Sequence, residues 1–325
     1  MKIQTIPLNV SFCSKIIDAH THIGFHDNQL LTKTDLDTFT KSKLPNNDTV
    51  VKMLVSDIDV LHGKKSEYEG NKQAFNLFKD DRSYDLFVSC NPMEGNVNQI
   101  KKLFNETKGK FVGLKFHPEI QCLAPSDKKY EPYLDFANEH KIPCLFHSQV
   151  NLTRHGTLSK RVNELSDPEI IYETAKKYKN APFIMAHMGA GWNEAHDKAI
   201  NVLLESVKNN DANLYADISW VDIGLEWERR TEKEHIIKAI NALKHYGQEN
   251  PDKGDQSFRI LFGSDAPLSR FKPDENAIAL THYTNFIQDI KNAIKKDFNL
   301  KNNAKKIIED LFYNNAKKLY LLHRF

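Results

Sequence analysis

Short apolar stretches alternate with amphipathic ones along most of this chain. Residues 16–20, 50–58, 86–91, 111–117, 142–147, 183–187, 214–218 and 260–264 are brief runs rich in β-branched and aromatic side chains. Each predicts a buried strand. Between them apolar positions recur at helical spacing, in one segment beginning near Gly70 and then over 97–107, 130–140, 168–178, 194–208 and 232–246. Asp167 followed by Pro168 supplies an N-cap and a proline at the first helical position. Eight strands separated by helices predict an α/β fold, a closed parallel (β/α)8 or TIM barrel, filling residues 1–325 as a single domain. The competing architecture is an open doubly wound sheet, whose first strand leads into a glycine-rich phosphate turn. Here that place is taken by His20-Thr21-His22. After the eighth strand, 274–295 and 302–322 read as helices, with Ile307, Ile308, Leu311, Phe312 and Leu319 at helical spacing. These extra C-terminal helices are expected on the outside of the barrel. The long connections, 24–49, 61–70, 149–166 and 266–273, all follow strands and therefore belong to the rim where such barrels build their sites.

That rim collects residues of one chemical kind. Asp18-Ala19-His20-Thr21-His22 follows the apolar pair Ile16-Ile17. Alternate strand residues share a face, so His20 and His22 point the same way, with Asp18 one step behind as a structural group. The fourth strand ends in Lys115-Phe116-His117-Pro118, the fifth in His147, the sixth in His187 and the eighth in Asp265. In a barrel these ends converge on one pocket. A buried imidazole or carboxylate is costly there unless it is paired or metal-bound. One such histidine would read as an ordinary core residue; five strands ending in ligand-type residues predict a metal site.

With these motifs in this order, the chain resembles the amidohydrolase superfamily of metal-dependent (β/α)8 enzymes. It looks most like the amidohydrolase-2 branch, which includes aminocarboxymuconate-semialdehyde decarboxylase, resorcylate decarboxylases and pyrone-dicarboxylate lactonase. The resemblance runs from Ile17-Asp18-Ala19-His20-Thr21-His22 through Gly113-Leu114-Lys115-Phe116-His117-Pro118, His147, His187 and Gly263-Ser264-Asp265-Ala266-Pro267 to Asn315-Ala316-Lys317-Lys318-Leu319. It implies that His20, His22, His147 and Asp265 bind one divalent metal ion, usually Zn2+, with a second metal left open. It implies that His187 is a nearby catalytic histidine, either unliganded or on that second metal. Imidazoles plus a carboxylate suit a borderline ion such as Zn2+. Asp265 is also a catalytic candidate, able to hold a water's proton. In binuclear relatives a lysine at the end of the fourth strand is carbamylated, but the form found here favours a plain Lys115 paired with an acidic group. By strand parity Lys115 and His117 share a face, so both are candidate substrate-binding residues. His117 reads nearly as well as a packing residue before Pro118. Arg154, in the loop after His147, could clamp a substrate carboxylate or stand as an exposed loop residue. Trp220, Trp227, Arg229 and Arg230 could wall the pocket or form a surface segment.

The expected activity is therefore hydrolysis of a C–N or C–O bond next to a carbonyl in a small, anionic substrate. Non-oxidative decarboxylation and hydration are the alternatives within the branch. A metal-binding regulatory protein without catalysis is the alternative of another class, against which the full set of histidines and Asp265 speaks. Composition narrows the partners to a small-molecule substrate. Lys and Arg number 45 against 43 Asp and Glu, a net charge of +2, which gives no reason to expect nucleic acid or a membrane surface. No apolar run approaches the roughly 18 residues of a spanning helix. Met1-Lys2-Ile3-Gln4-Thr5 lacks the apolar core of a signal peptide, and the four cysteines show no C-x-x-C pairing. A cytoplasmic location with reduced thiols is expected, and a homodimer is left open.

Overall fold

The computed structural model describes residues 14–26, 29–107, 109–149, 165–190, 193–219, 229–266 and 276–321. The apolar runs form strands β1 (Lys15–His26), β3 (Thr49–Asp57), β4 (Tyr84–Ser89), β5 (Phe111–Phe116), β6 (Cys144–Phe146), β7 (Phe183–Met185), β8 (Leu214–Asp217) and β9 (Ile260–Leu261). A short β2 (Gln29–Leu31) folds back antiparallel on β1. The sheet order is β2-β1-β3-β4-β5-β6-β7-β8-β9, and every pairing except β1 with β2 is parallel. The ring then closes on itself. Ala19 N donates to Phe262 O (3.0 Å), Asp265 N to His20 O (2.8 Å) and His22 N to Ala266 O (2.8 Å). Eight parallel strands thus make the barrel predicted from the apolar pattern. Both faces of β4 and β5 are buried along their whole length, as expected of parallel strands covered by helices.

Two separate cores result. The larger lies between strands and helices and includes a ladder of parallel rings, Phe116 on Phe146 (4.9 Å) and Phe146 on Phe183 (5.2 Å), on neighbouring strands. The smaller fills the barrel with Ile17, Leu54, Phe87, Val112, Leu145, Ile184 and Leu261. Ala316, Leu319 and Tyr320 join this inner group. The expectation that the C-terminal helices lie outside the barrel therefore holds for Ile307, Ile308, Leu311 and Phe312 and fails for the last turns. There the segment widens into π-helical turns at Asp310–Asn314 and Lys317–Leu321, and its small and aromatic side chains close the barrel floor.

The connection 24–49 also differs from a plain loop. It carries β2 and helix α1 (Lys33–Lys41), capped by Thr32 and Asp35 in a reciprocal capping box. Helix α2 (Ile58–Leu61) and the start of α3 (Glu67–Phe78) occupy the next connection. The helix opening at Pro168 begins as predicted, with the Asp167 side chain accepting from Glu169 N at 2.8 Å. Asp48, just before β3, is fully buried. It accepts from Ser14 N (2.8 Å), Gln288 Nε2 (3.0 Å) and Lys291 Nζ (2.6 Å to each oxygen), tying the barrel to the long helix Asn276–Lys296. No helix among the described residues is long and apolar enough to cross a membrane.

Glu67 anchors the rim loop after β4. Its carboxylate accepts from Asn91 N (2.8 Å), Asn96 N (3.1 Å) and Tyr133 Oη (2.9 Å). A Cβ at Gly95 would collide with it at 2.1 Å, so only glycine fits beside it. Burial pushes the Glu67 carboxyl from 4.5 up to about 7. The folded state then binds the extra proton between those values, and stability falls as pH rises through that window. The full loss is about 3 kcal/mol, at 1.36 kcal/mol per pKa unit. Urea unfolding of wild type and Glu67→Gln from pH 4 to 8 should show the wild type losing ground to the variant across that window and not beyond it. A pH-independent difference would refute this account.

Candidate metal centre

At the C-terminal end of the barrel, His20, His187 and Asp265 are all buried and bring one ligand atom each within 4.8 Å of one another. His22 joins them: its Nε2 lies 3.1 Å from His20 Nε2 and 2.8 Å from Asp265 Oδ1. Asp265 Oδ1 is 3.3 Å from His20 Nε2. Three of these residues come from the seam where β1 meets β9. Strand parity carries His20 and His22 inward, aided by a register shift in β1 between Asp18 and Thr21. Gly263 makes room for them, since a Cβ there would meet His20 Cβ at 2.8 Å.

His187 arrives differently. The chain leaves β7 in a tight turn with His187 and Met188 at φ 61° and 45°, and Asp265 has φ 65°. Non-glycine residues rarely hold such angles, and they concentrate at functional sites. His147 lies one ring further out, its Nδ1 3.2 Å from His187 Nε2. Its Nε2 faces Gln149 Oε1 at 3.2 Å and Glu119 Oε2 at 3.6 Å. His117 stacks flat on His147, ring centroids 3.9 Å apart. Its Nδ1 also accepts from Ile120 N, capping the one-turn helix Pro118–Gln121. Lys115 is buried and points its Nζ at His20 Nε2, 2.8 Å away. Arg154, Trp220 and Trp227 lie outside the described residues, as do the side chains of Arg229 and Arg230.

The electrostatics follow from burial. Desolvation, helped by Lys115, His22 and His147, holds His20 well below the usual imidazole range. Desolvation with His20 and His147 does the same to His187. Burial lowers Lys115 to about 8, against the pull of Asp265 and Asp217. Asp18 is structural: it accepts from Ser264 N (2.9 Å) and Ser264 Oγ (2.6 Å), locking β1 to the turn after β9. Burial pushes its carboxyl up to about 7.

Two residues at the end of β8 are absent from the candidates read from sequence. Asp217 Oδ2 is 3.0 Å from His20 Nδ1, and Ser219 Oγ is 2.9 Å from both His20 Nδ1 and His187 Nδ1. The signal was an acid at a strand end, the same signal that marks Asp265. The donor set fits a divalent ion. Imidazoles and one carboxylate gathered in a buried pocket are the ligands a borderline metal takes.

Comparison with known proteins agrees with this architecture. A family model described as amidohydrolase matches residues 17–322. No curated protein matches the chain. Among solved structures, a 2,6-dihydroxybenzoate decarboxylase bound to 2,6-dihydroxybenzoate is 13% identical with a TM-score of 0.58, covering 95% of this chain and 99% of that one. An amidohydrolase from Burkholderia multivorans with bound zinc is 12% identical, TM-score 0.55, over 94% and 99%. A TIM-barrel protein from Bordetella bronchiseptica is 14% identical, TM-score 0.55, over 95% and 99%. At such identities the likeness shows the fold.

Proposed function

The chain belongs to the amidohydrolase family that it matches over residues 17–322, and from that premise we propose that it is a metal-dependent hydrolase cleaving a C–N or C–O bond next to a carbonyl in a small anionic substrate. The observation that carries this reading is the buried convergence of His20, His22, His187 and Asp265 on one point at the catalytic end of the barrel. His20, His22 and Asp265, all within that group, would hold the ion, with zinc the favoured occupant; the resemblance adds His147 as a fourth ligand, its ring standing one position further out against His187 Nε2. Such an ion supplies Lewis acidity, lowering the pKa of a water to about 7 and polarising a substrate oxygen. Asp265 accepts the proton of the attacking water. His187, held well below the usual imidazole range and set beside the centre with its Nε2 toward His147, takes up a proton and returns it to the leaving group. Lys115 offers N–H donors to an anionic oxygen of the substrate.

A panel of lactones, amides and aromatic acids, offered to metal-loaded and chelated protein, tests the proposal. Metal-dependent release of an acid with its amine or alcohol supports it. The same donor set can serve non-oxidative decarboxylation, the activity that names one solved structure of this fold. Release of CO2 in place of hydrolysis products would move the assignment there. On whichever substrate turns over, His187→Asn should keep the metal and lower kcat by about 10²-fold or more, the scale of a lost acid–base group. Undiminished kcat would remove His187 from the mechanism.

A further inference from the structure

We propose that Asp217, acting through Ser219, is a positioning residue that fixes the ring tautomers of His20 and His187 together. The proposal rests on the reading above, in which His20 holds the ion and His187 moves a proton.

It follows from counting protons. Asp217 is buried and its carboxylate is acceptor-only. Its Oδ1 accepts from His187 N (3.0 Å) and Ser219 N (2.9 Å), and also from the Ser219 hydroxyl in a short bond. Ser219 has a single hydroxyl proton, and that bond uses it. The hydroxyl therefore has only lone pairs left for the two imidazoles that touch it. His20 Nδ1 and His187 Nδ1, each 2.9 Å from Ser219 Oγ, must both be donors. Two further acceptors agree: Asp217 Oδ2 lies 3.0 Å from His20 Nδ1, and Ser219 O lies 3.2 Å from His187 Nδ1. Both rings then present an unprotonated Nε2, His20 accepting from Lys115 Nζ beside His22 and Asp265, and His187 toward His147. The shared hydroxyl also explains why the two rings stack, 5.0 Å apart and 27° from parallel. One carboxylate on β8 thus orders the lone pairs of an imidazole on β1 and another after β7. A metal ligand's outer partner acts on affinity in this way.

Asp217→Asn tests the arrangement. In either orientation the new amide sets N–H against a donor, Nδ1–H of His20 on one side or the backbone N–H groups and hydroxyl on the other. When the new N–H faces His20, the conflict is relieved as that ring moves its proton to Nε2; the other orientation opposes backbone N–H groups that have no such escape. Histidine 15N spectra of the metal-free protein read the tautomers directly, and competition with a chromophoric chelator reads zinc affinity. The wild type should show Nδ1–H on both rings. Asp217→Asn should shift His20 toward Nε2–H and weaken zinc by about 10- to 100-fold, the usual cost of losing a ligand's outer partner. Ser219→Ala keeps the Asp217 bond to His20, so it should loosen His187 most; it carries the test if Asp217→Asn does not fold. Folded variants that keep both Nδ1–H signals and wild-type zinc affinity would overturn the proposal. A wild type that takes up no zinc, with both Nδ1–H signals present and lost on substitution, would instead overturn the metal reading and leave the anchor standing.

Discussion

His20→Ala protein purified without chelator should lose nearly all the divalent metal found in the wild type. His20 stands at the middle of the centre, with its Nε2 within 3.3 Å of His22 Nε2, Asp265 Oδ1 and Lys115 Nζ. Removing it takes away a ligand and leaves Lys115 without its nearest neighbour. Losing an outer partner of a ligand weakens binding by about 10- to 100-fold, and losing the ligand itself should exceed the upper end of that range. Elemental analysis gives the answer with no substrate in hand. Full occupancy in the variant would sink the ligand assignment, whereas a second equivalent in the wild type that disappears on Lys115→Ala would favour two metals.

The second large effect is on stability. Asp48→Ala should destabilise the chain by about 3–5 kcal/mol, because it takes away the carboxylate whose two oxygens both bond the buried Lys291 ammonium. It also leaves Ser14 N and Gln288 Nε2 without the acceptor they share. Lys291→Met should cost a similar amount for the mirror reason. Replacing both, as Asp48→Ala with Lys291→Met, should cost less than the two single losses added together, since the bonded charges are then removed as a pair. Denaturant unfolding of the four proteins supplies the comparison. Simple additivity of the two single losses would show that the pair does not act as a unit.

How much of this could be read from sequence depends on the range of the force involved. The barrel strands were legible because most of their residues are buried on both faces and so form short apolar runs. β2 was not, because Gln29-Leu30-Leu31 is too short to show a pattern and exists through its pairing with β1. The helical spacing of 302–322 gave the period of the last segment and not the cavity it enters, where Ala316, Leu319 and Tyr320 pack among the inner strand residues. Within the centre, His20, His22, His187 and Asp265 were visible from their chemistry at strand ends. Depth was not visible. His147 and His187 end adjacent strands, yet His187 lies in the tight group and His147 one ring outside it. Asp217 was invisible as a partner because its role depends on meeting His20, 197 residues away in the chain, and the His187 amide, 30 residues away. An acid at a strand end carries no mark of such distant neighbours.

The seam between β1 and β9 has a consequence for how the protein comes into being. His22 and Asp265 are 243 residues apart in the chain and 2.8 Å apart in space. Contacts of such separation form slowly, because almost the whole chain must be looped before they reward it. During synthesis the first strand emerges early with both its histidines, and the partner carboxylate follows only after the last barrel strand, β9. A nascent or prematurely terminated chain therefore carries loose imidazoles and no centre. The group at the seam is assembled only when the two ends of the sheet meet.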